Sequence, residues 1–97
     1  HHPLVVGLRV THSMRVCDAF IDENSKSLFG DHALAVVGYK KDETISGGGY
    51  FILKNSWGPE CGDKGYQYYP FSMCSRPDLY CDFIEIADIE VKADPKK

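Results

Sequence analysis

Two short apolar runs, Ala33-Leu-Ala-Val-Val-Gly-Tyr39 and Tyr50-Phe-Ile-Leu-Lys-Asn55, flank a polar stretch from Lys40 to Gly49 that closes in three consecutive glycines. Rich in β-formers and bounded by turn residues, the pair predicts a β-hairpin with a long connection. The hairpin constrains the chain more than any other feature. In an antiparallel pair the start of one strand lies beside the end of the next, so His32 and Asn55, 23 positions apart, become neighbours.

The rest of the chain supplies strands around that hairpin. Residues 3–10, Pro-Leu-Val-Val-Gly-Leu-Arg-Val, read as a strand buried on both faces over part of its length. Thr11 to Gly30 has no steady period and centres on a polar segment, residues 22–27, so it reads as a loop holding a helical turn at most. Ser56 to Lys64 is turn chemistry, 65–69 has strong β-formers, and 83–91 alternates apolar and acidic residues like a half-exposed strand or pair of strands. Residues 93–97 form a charged tail with no reason to be ordered.

Ninety-seven residues suit one small domain or part of a larger one and exclude two full domains. An apolar content of 43% and an aromatic content of 12% exceed those of a disordered tail. No apolar run approaches the roughly 18 residues of a membrane helix, and mean hydropathy is −0.29. A folded, water-soluble chain without a membrane partner is expected. The net charge of −3, with both signs interspersed, lacks the electrostatic footprint of a nucleic-acid binder. The opening His-His-Pro-Leu lacks the pattern of a secretory leader and looks like the start of a segment cut from something longer.

Cys17, Cys61, Cys74 and Cys81 allow three pairings if all are bridged, and no Cys-x-x-Cys pair points to zinc or redox chemistry. Cys74 and Cys81 form the favoured disulfide, because the turn-rich Ser-Arg-Pro-Asp-Leu-Tyr between them can bring the sulfurs together. Four reduced cysteines are the alternative.

A histidine and an asparagine at one end of a sheet can do chemistry. The Asn carbonyl can accept from one imidazole nitrogen and hold the ring so that the other faces a nucleophile. Taken singly, such residues more often cap loops or satisfy backbone groups. Context changes the balance. Asp-His-Ala-Leu-Ala-Val-Val-Gly-Tyr (31–39) resembles the segment around the catalytic histidine of the papain-like cysteine peptidases. Tyr-Phe-Ile-Leu-Lys-Asn-Ser-Trp-Gly (50–58) resembles the segment around their catalytic asparagine, and Gly-Asp-Lys-Gly-Tyr (62–66) the glycine-bounded turn that follows.

The resemblance runs from about residue 3 to 91 and is strong from Asp31 to Tyr66. It implies an α+β fold, with residues 1–97 as the mainly antiparallel, barrel-like C-terminal domain of the papain-like fold, completed by a helical partner half. It implies His32 as general base and acid, Asn55 as its orienter, and Trp57 as the indole shielding their hydrogen bond. Asp31 and Ala33 would border the substrate cleft. The family's nucleophile, in a Cys-Gly-x-Cys-Trp type segment, and its oxyanion glutamine have no counterpart here. Cys17 is therefore read as structural, and Cys61, beside the shielding loop, as a bridge partner with its mate open.

The implied arrangement is a two-chain peptidase. An N-terminal helical chain would carry the catalytic Cys and the oxyanion Gln, and peptides or proteins would be the substrates, with no cofactor and no metal. A secreted or lysosome- or vacuole-like compartment follows from the same resemblance. The sheet face carrying Leu34 and Val36 is expected to meet the helical half. Two other readings compete: a catalytically inactive papain-like interaction module, and a metal site built from His12, Cys17 and His32, which lacks paired ligand spacing.

Overall fold

In a computed structural model, residues 4–85 are described. They form five strands, β1 (Leu4–Thr11), β2 (Ser27–Lys41), β3 (Gly49–Lys54), β4 (Tyr66–Pro70) and β5 (Asp82–Glu85), with a helical turn α1 (His12–Arg15) after β1 and a 3-10 turn (Phe71–Ser75) after β4. The strands make one antiparallel sheet in the order β4-β3-β2-β1-β5.

β2 is longer than the apolar run 33–39 because β1 recruits what precedes it: Arg9 lies opposite Asp31 and Thr11 opposite Ser27, across a register shift. Gly30 sits in that irregular stretch at φ +116°, a conformation that disfavours a side chain. A second shift, between Val36 and Gly38, leaves Val37 as the extra residue of β2. The β2–β3 connection closes at Gly49, where a Cβ would stand 2.2 Å from the Lys40 carbonyl oxygen. Only glycine fits there.

β1 alternates. Val6, Leu8 and Val10 are buried while Val5, Gly7 and Arg9 are half-buried, so the strand buries one face rather than two. The core lies on that face, where Val6, Leu8, Val10, Leu34, Leu53 and Tyr69 from the sheet meet Met14, Ile21, Met73 and Leu79 from the covering segments. Leu34 therefore belongs to the core and Val36 packs against it, which corrects the expectation that they form a docking face. Strand alternation instead puts Ala33, Ala35 and Val37 outside.

The long segment between α1 and β2 is held by polar ties. Thr11 caps α1 through its Oγ1, which accepts from the Met14 N–H at 3.4 Å. Arg76 donates through Nη1 to the carbonyls of Glu23 (3.0 Å) and Ser25 (2.8 Å) and grips Asp78 with its other two nitrogens. Two disulfides complete the cover, Cys17–Cys61 and Cys74–Cys81. Among the described residues no helix is long and apolar enough to cross a membrane. The last strand is described only over Asp82–Glu85, all exposed. Residues 86–91 of the alternating run, and the tail at 93–97, lie outside the described residues.

Candidate active site

The β2–β3 ladder pairs Ala35 with Lys54 and Val36 with Leu53. Continued past the end of β3, that register sets Trp57 opposite His32. Their rings stack with centroids 5.1 Å apart and planes 9° from parallel. Asn55, the first residue after β3, is 3% exposed, and its N–H donates to the Gly65 carbonyl at 2.9 Å. The turn between them is built on glycines. At Gly62 (φ +70°) a Cβ would stand 2.3 Å from the Tyr66 carbonyl oxygen.

His32 Nε2 and Asn55 Oδ1 are both buried and both without a hydrogen-bond partner among the described residues. One atom can only accept and the other can carry a proton, so they are complementary. The other end of the Asn55 amide is engaged: Nδ2 donates to Gln67 Oε1 at 2.6 Å. Gln67, fully buried on β4 opposite Leu53, donates through Nε2 to the carbonyls of Asp18 (3.0 Å) and Met14 (3.4 Å). No sequence reading had singled it out.

Asp31 and Ala33, expected at the cleft edge, are exposed and line a groove with His32, Gly7, Leu8, Tyr80 and Asp82. The last two come from the segment that leads through Cys81 into β5. The Asp31 carboxylate beside the Tyr80 hydroxyl raises the phenol's pKa, and Arg9 Nε stands 3.9 Å from the same carboxylate. A second groove lies on the Asn55 side, lined by Lys54, Asn55, Ser56, Gly58, Pro59, Lys64 and Gly65. Trp57 is 39% exposed, with its ring on His32.

All four cysteine sulfurs are in bridges. The structure joins Cys74 to Cys81 and gives Cys61 its mate, Cys17. The alternative of four reduced cysteines is not what the structure contains, and the metal reading loses Cys17 as a ligand. Among the described residues no group of three or more His, Cys, Asp or Glu is placed to hold a metal ion. What the site can offer chemically is an imidazole held by a ring stack, with a buried amide oxygen on the residue just past the end of β3.

The family model for papain family cysteine proteases matches residues 1–82. Vignain of Vigna mungo is 50% identical over 62 residues, which cover 64% of this chain and 16% of the relative. Vignain of Ricinus communis is 58% identical over 36 residues, 37% of this chain and 9% of the relative. Among solved structures, xylellain, a cysteine protease from Xylella fastidiosa, superposes with a TM-score of 0.62 at 28% identity, covering 87% of this chain and 32% of that one. The chain thus spans a small fraction of the curated relatives it matches and about a third of the solved one.

Proposed function

The chain belongs to the papain family of cysteine proteases, and from that premise we propose that it is the half of a peptidase that supplies the catalytic histidine and asparagine. The nucleophilic thiol would come from a separate N-terminal helical chain, which also brings the oxyanion glutamine. The observation that carries this reading is the pair of unpartnered buried atoms, His32 Nε2 and Asn55 Oδ1, beside the end of β3, where Trp57 stacks on the imidazole.

With Nε2 turned toward Asn55, Nδ1 is the nitrogen left for the thiol. Transfer of the thiol proton to Nδ1 gives a thiolate and an imidazolium that stabilise each other, which lowers the thiol pKa well below its free value of about 8.5. The thiolate attacks the peptide carbonyl. The imidazolium then gives its proton to the departing amine, leaving an acyl-thioester. His32 next takes a proton from water as the water attacks that thioester, and the acid is released with the thiol restored. In the working site Asn55 Oδ1 would accept from His32 Nε2 and hold the ring through both steps, with the Trp57 indole keeping water from competing for that bond. None of these steps draws on a metal or organic cofactor.

The bridged cysteines support the assignment of the thiol to another chain, since a disulfide sulfur is not available as a thiolate. The test is to isolate the protein under non-reducing, non-denaturing conditions and identify what accompanies this chain. A polypeptide with a cysteine at a helix N-terminus, labelled by a thiol-directed epoxide in the assembly, is the expected result. Peptide hydrolysis that persists unchanged in His32→Ala would overturn the reading.

A further inference from the structure

We propose that Gln67 is a positioning residue of this site: it determines which end of the Asn55 amide faces His32. The inference rests on the His32–Asn55 reading above and adds a residue to it.

The two ends of an asparagine amide have nearly the same shape but opposite hydrogen-bonding character, so packing alone does not choose between them. Here the choice is forced from the backbone outward. The carbonyls of Met14 and Asp18 can only accept, so Gln67 must turn its amino end toward them. That leaves Oε1 facing Asn55. An acceptor there requires a donor, so Asn55 presents Nδ2 at 2.6 Å, and Oδ1 is left on the opposite side, buried and unpartnered. An acceptor so placed selects a His32 ring protonated at Nε2, with the Nδ1 lone pair free to take the thiol proton. The flipped amide would donate to Nε2 and move the neutral ring's proton to Nδ1, where it blocks the base.

Burial supports the assignment. Gln67 is wholly buried beside the core residue Leu53, where an amide is costly unless bonded. Both ends of its amide are satisfied. Its two carbonyl acceptors are themselves fixed, since Cys17 N–H donates to Met14 O (3.0 Å), Asp18 N–H to Ser13 O (3.1 Å), and Ser13 Oγ to Asp18 Oδ2 (2.7 Å). The Cys17–Cys61 bridge then ties that loop to the turn after Trp57.

The test uses the whole protein that carries this chain, with Gln67→Met, which keeps the volume, and Gln67→Glu. Two readouts are taken: kcat and KM on one peptide, and the 15N shifts of the neutral His32 ring. The wild type should hold a single Nε2–H tautomer. In Gln67→Met the ring should become a tautomer mixture and kcat should fall about ten-fold with KM little changed, the size expected for one lost buried hydrogen bond. Gln67→Glu keeps an oxygen that accepts from Asn55 Nδ2, so it should preserve the single Nε2–H tautomer that Gln67→Met loses. A single Nε2–H tautomer in Gln67→Met, or a tautomer mixture in Gln67→Glu, overturns the proposal. The tautomer readout does not depend on turnover, so failure of the peptidase reading, seen as undiminished activity in His32→Ala, is distinguished from failure of this one.

Discussion

Cys17 and Cys61 lie 44 residues apart in sequence, yet their Cα atoms are 4.7 Å apart across a disulfide. Beside it, the Gly62 N–H donates to the Cys17 carbonyl at 3.0 Å. The bridge joins the loop whose carbonyls hold Gln67 to the turn that carries Trp57, so it links both supports of the His32–Asn55 pair. Cys74 and Cys81 are only 7 positions apart in sequence.

Loop-closure entropy grows with loop length, so the two bridges should contribute differently: about 4 kcal/mol for Cys17–Cys61 and about 2.4 kcal/mol for Cys74–Cys81 in the chain-entropy account. Thermal melts of paired Cys→Ser variants check this. The Cys17–Cys61 pair is expected to show the larger loss of Tm, and it alone should also depress kcat, through Gln67. Equal losses would show that the loops are not free in the unfolded chain.

His32→Ala removes the base and the acid together, so turnover in the assembled enzyme should fall by at least the 10²–10⁴-fold typical of acid–base catalysis. Asn55→Ala leaves an imidazole still able to exchange protons and should cost less activity, mainly in kcat. Their stabilities should rank the other way. Asn55→Ala strands Gln67 Oε1 in the interior, at a cost of about 1–3 kcal/mol, as well as ending the contact with His32, whereas His32→Ala ends only the latter. Denaturant melts beside turnover measurements separate the two orders. Trp57→Ala should resemble a mild Asn55→Ala in kcat.

The four cysteines also give a chemical prediction. With every sulfur bridged, this chain should neither hydrolyse peptides nor react quickly with an epoxide or vinyl-sulfone thiol reagent under non-reducing conditions. Mass spectrometry of the labelled assembly should find the adduct on the other chain. Rapid stoichiometric labelling of Cys17 or Cys61 would place the nucleophile here instead.

The hairpin, β1 and β4 could be read in advance because runs of β-formers bounded by glycine and polar turns carry their own local signal. The first residues of β2 could not. Ser27 to Asp31 are strand only because β1 pairs with them, a tertiary effect with no local period. That the antiparallel β2–β3 ladder brings the end of β3 beside the stretch carrying His32 followed from hairpin geometry alone. Gln67 was hidden because a polar residue in Gly-Tyr-Gln-Tyr-Tyr looks like the exposed face of an edge strand. Its one signal was that the alternation puts it inward with Tyr69, where an amide needs partners. The Cys17–Cys61 pairing was beyond any local argument, since nothing short-range joins residues so far apart, while the face of Leu34 was misassigned because which side of a strand is buried depends on what covers it.

Acid stability should depend on Asp78. Its carboxyl is held below the usual carboxylate range, first by the hydrogen bond from Arg76. A group with a depressed folded pKa contributes stability that is present above its unfolded value, about 3.9, and lost as pH falls through the folded one. Asp78→Asn should therefore flatten the dependence of Tm on pH below about 4, with Asp42, lowered by its bonds from Thr44, retaining part of the slope. A Tm profile in that range identical to wild type would show that the Arg76–Asp78 pair is too solvated to matter.

Alkaline stability should depend on Tyr69, whose hydroxyl is buried and has no partner among the described residues. Burial raises its pKa, because the phenolate would lie in the core. The sign is opposite to that of Asp78: a raised folded pKa contributes stability that is complete below the unfolded value of about 10 and lost as pH rises through the folded one. Tyr68, raised to about 12 first by its hydrogen bond to Asp63, acts in the same direction from a more solvated position. Tyr69→Phe deletes an unsatisfied hydroxyl while keeping the ring that fills the core, so at neutral pH it should leave Tm unchanged or raise it. Above pH 10 the variant should lose less stability than wild type, and Tyr68→Phe should change the slope less than Tyr69→Phe does. Melts of the three proteins between pH 8 and 11 settle the matter, and a Tyr69→Phe variant that is clearly less stable at pH 7 would mean the hydroxyl has a partner in solution.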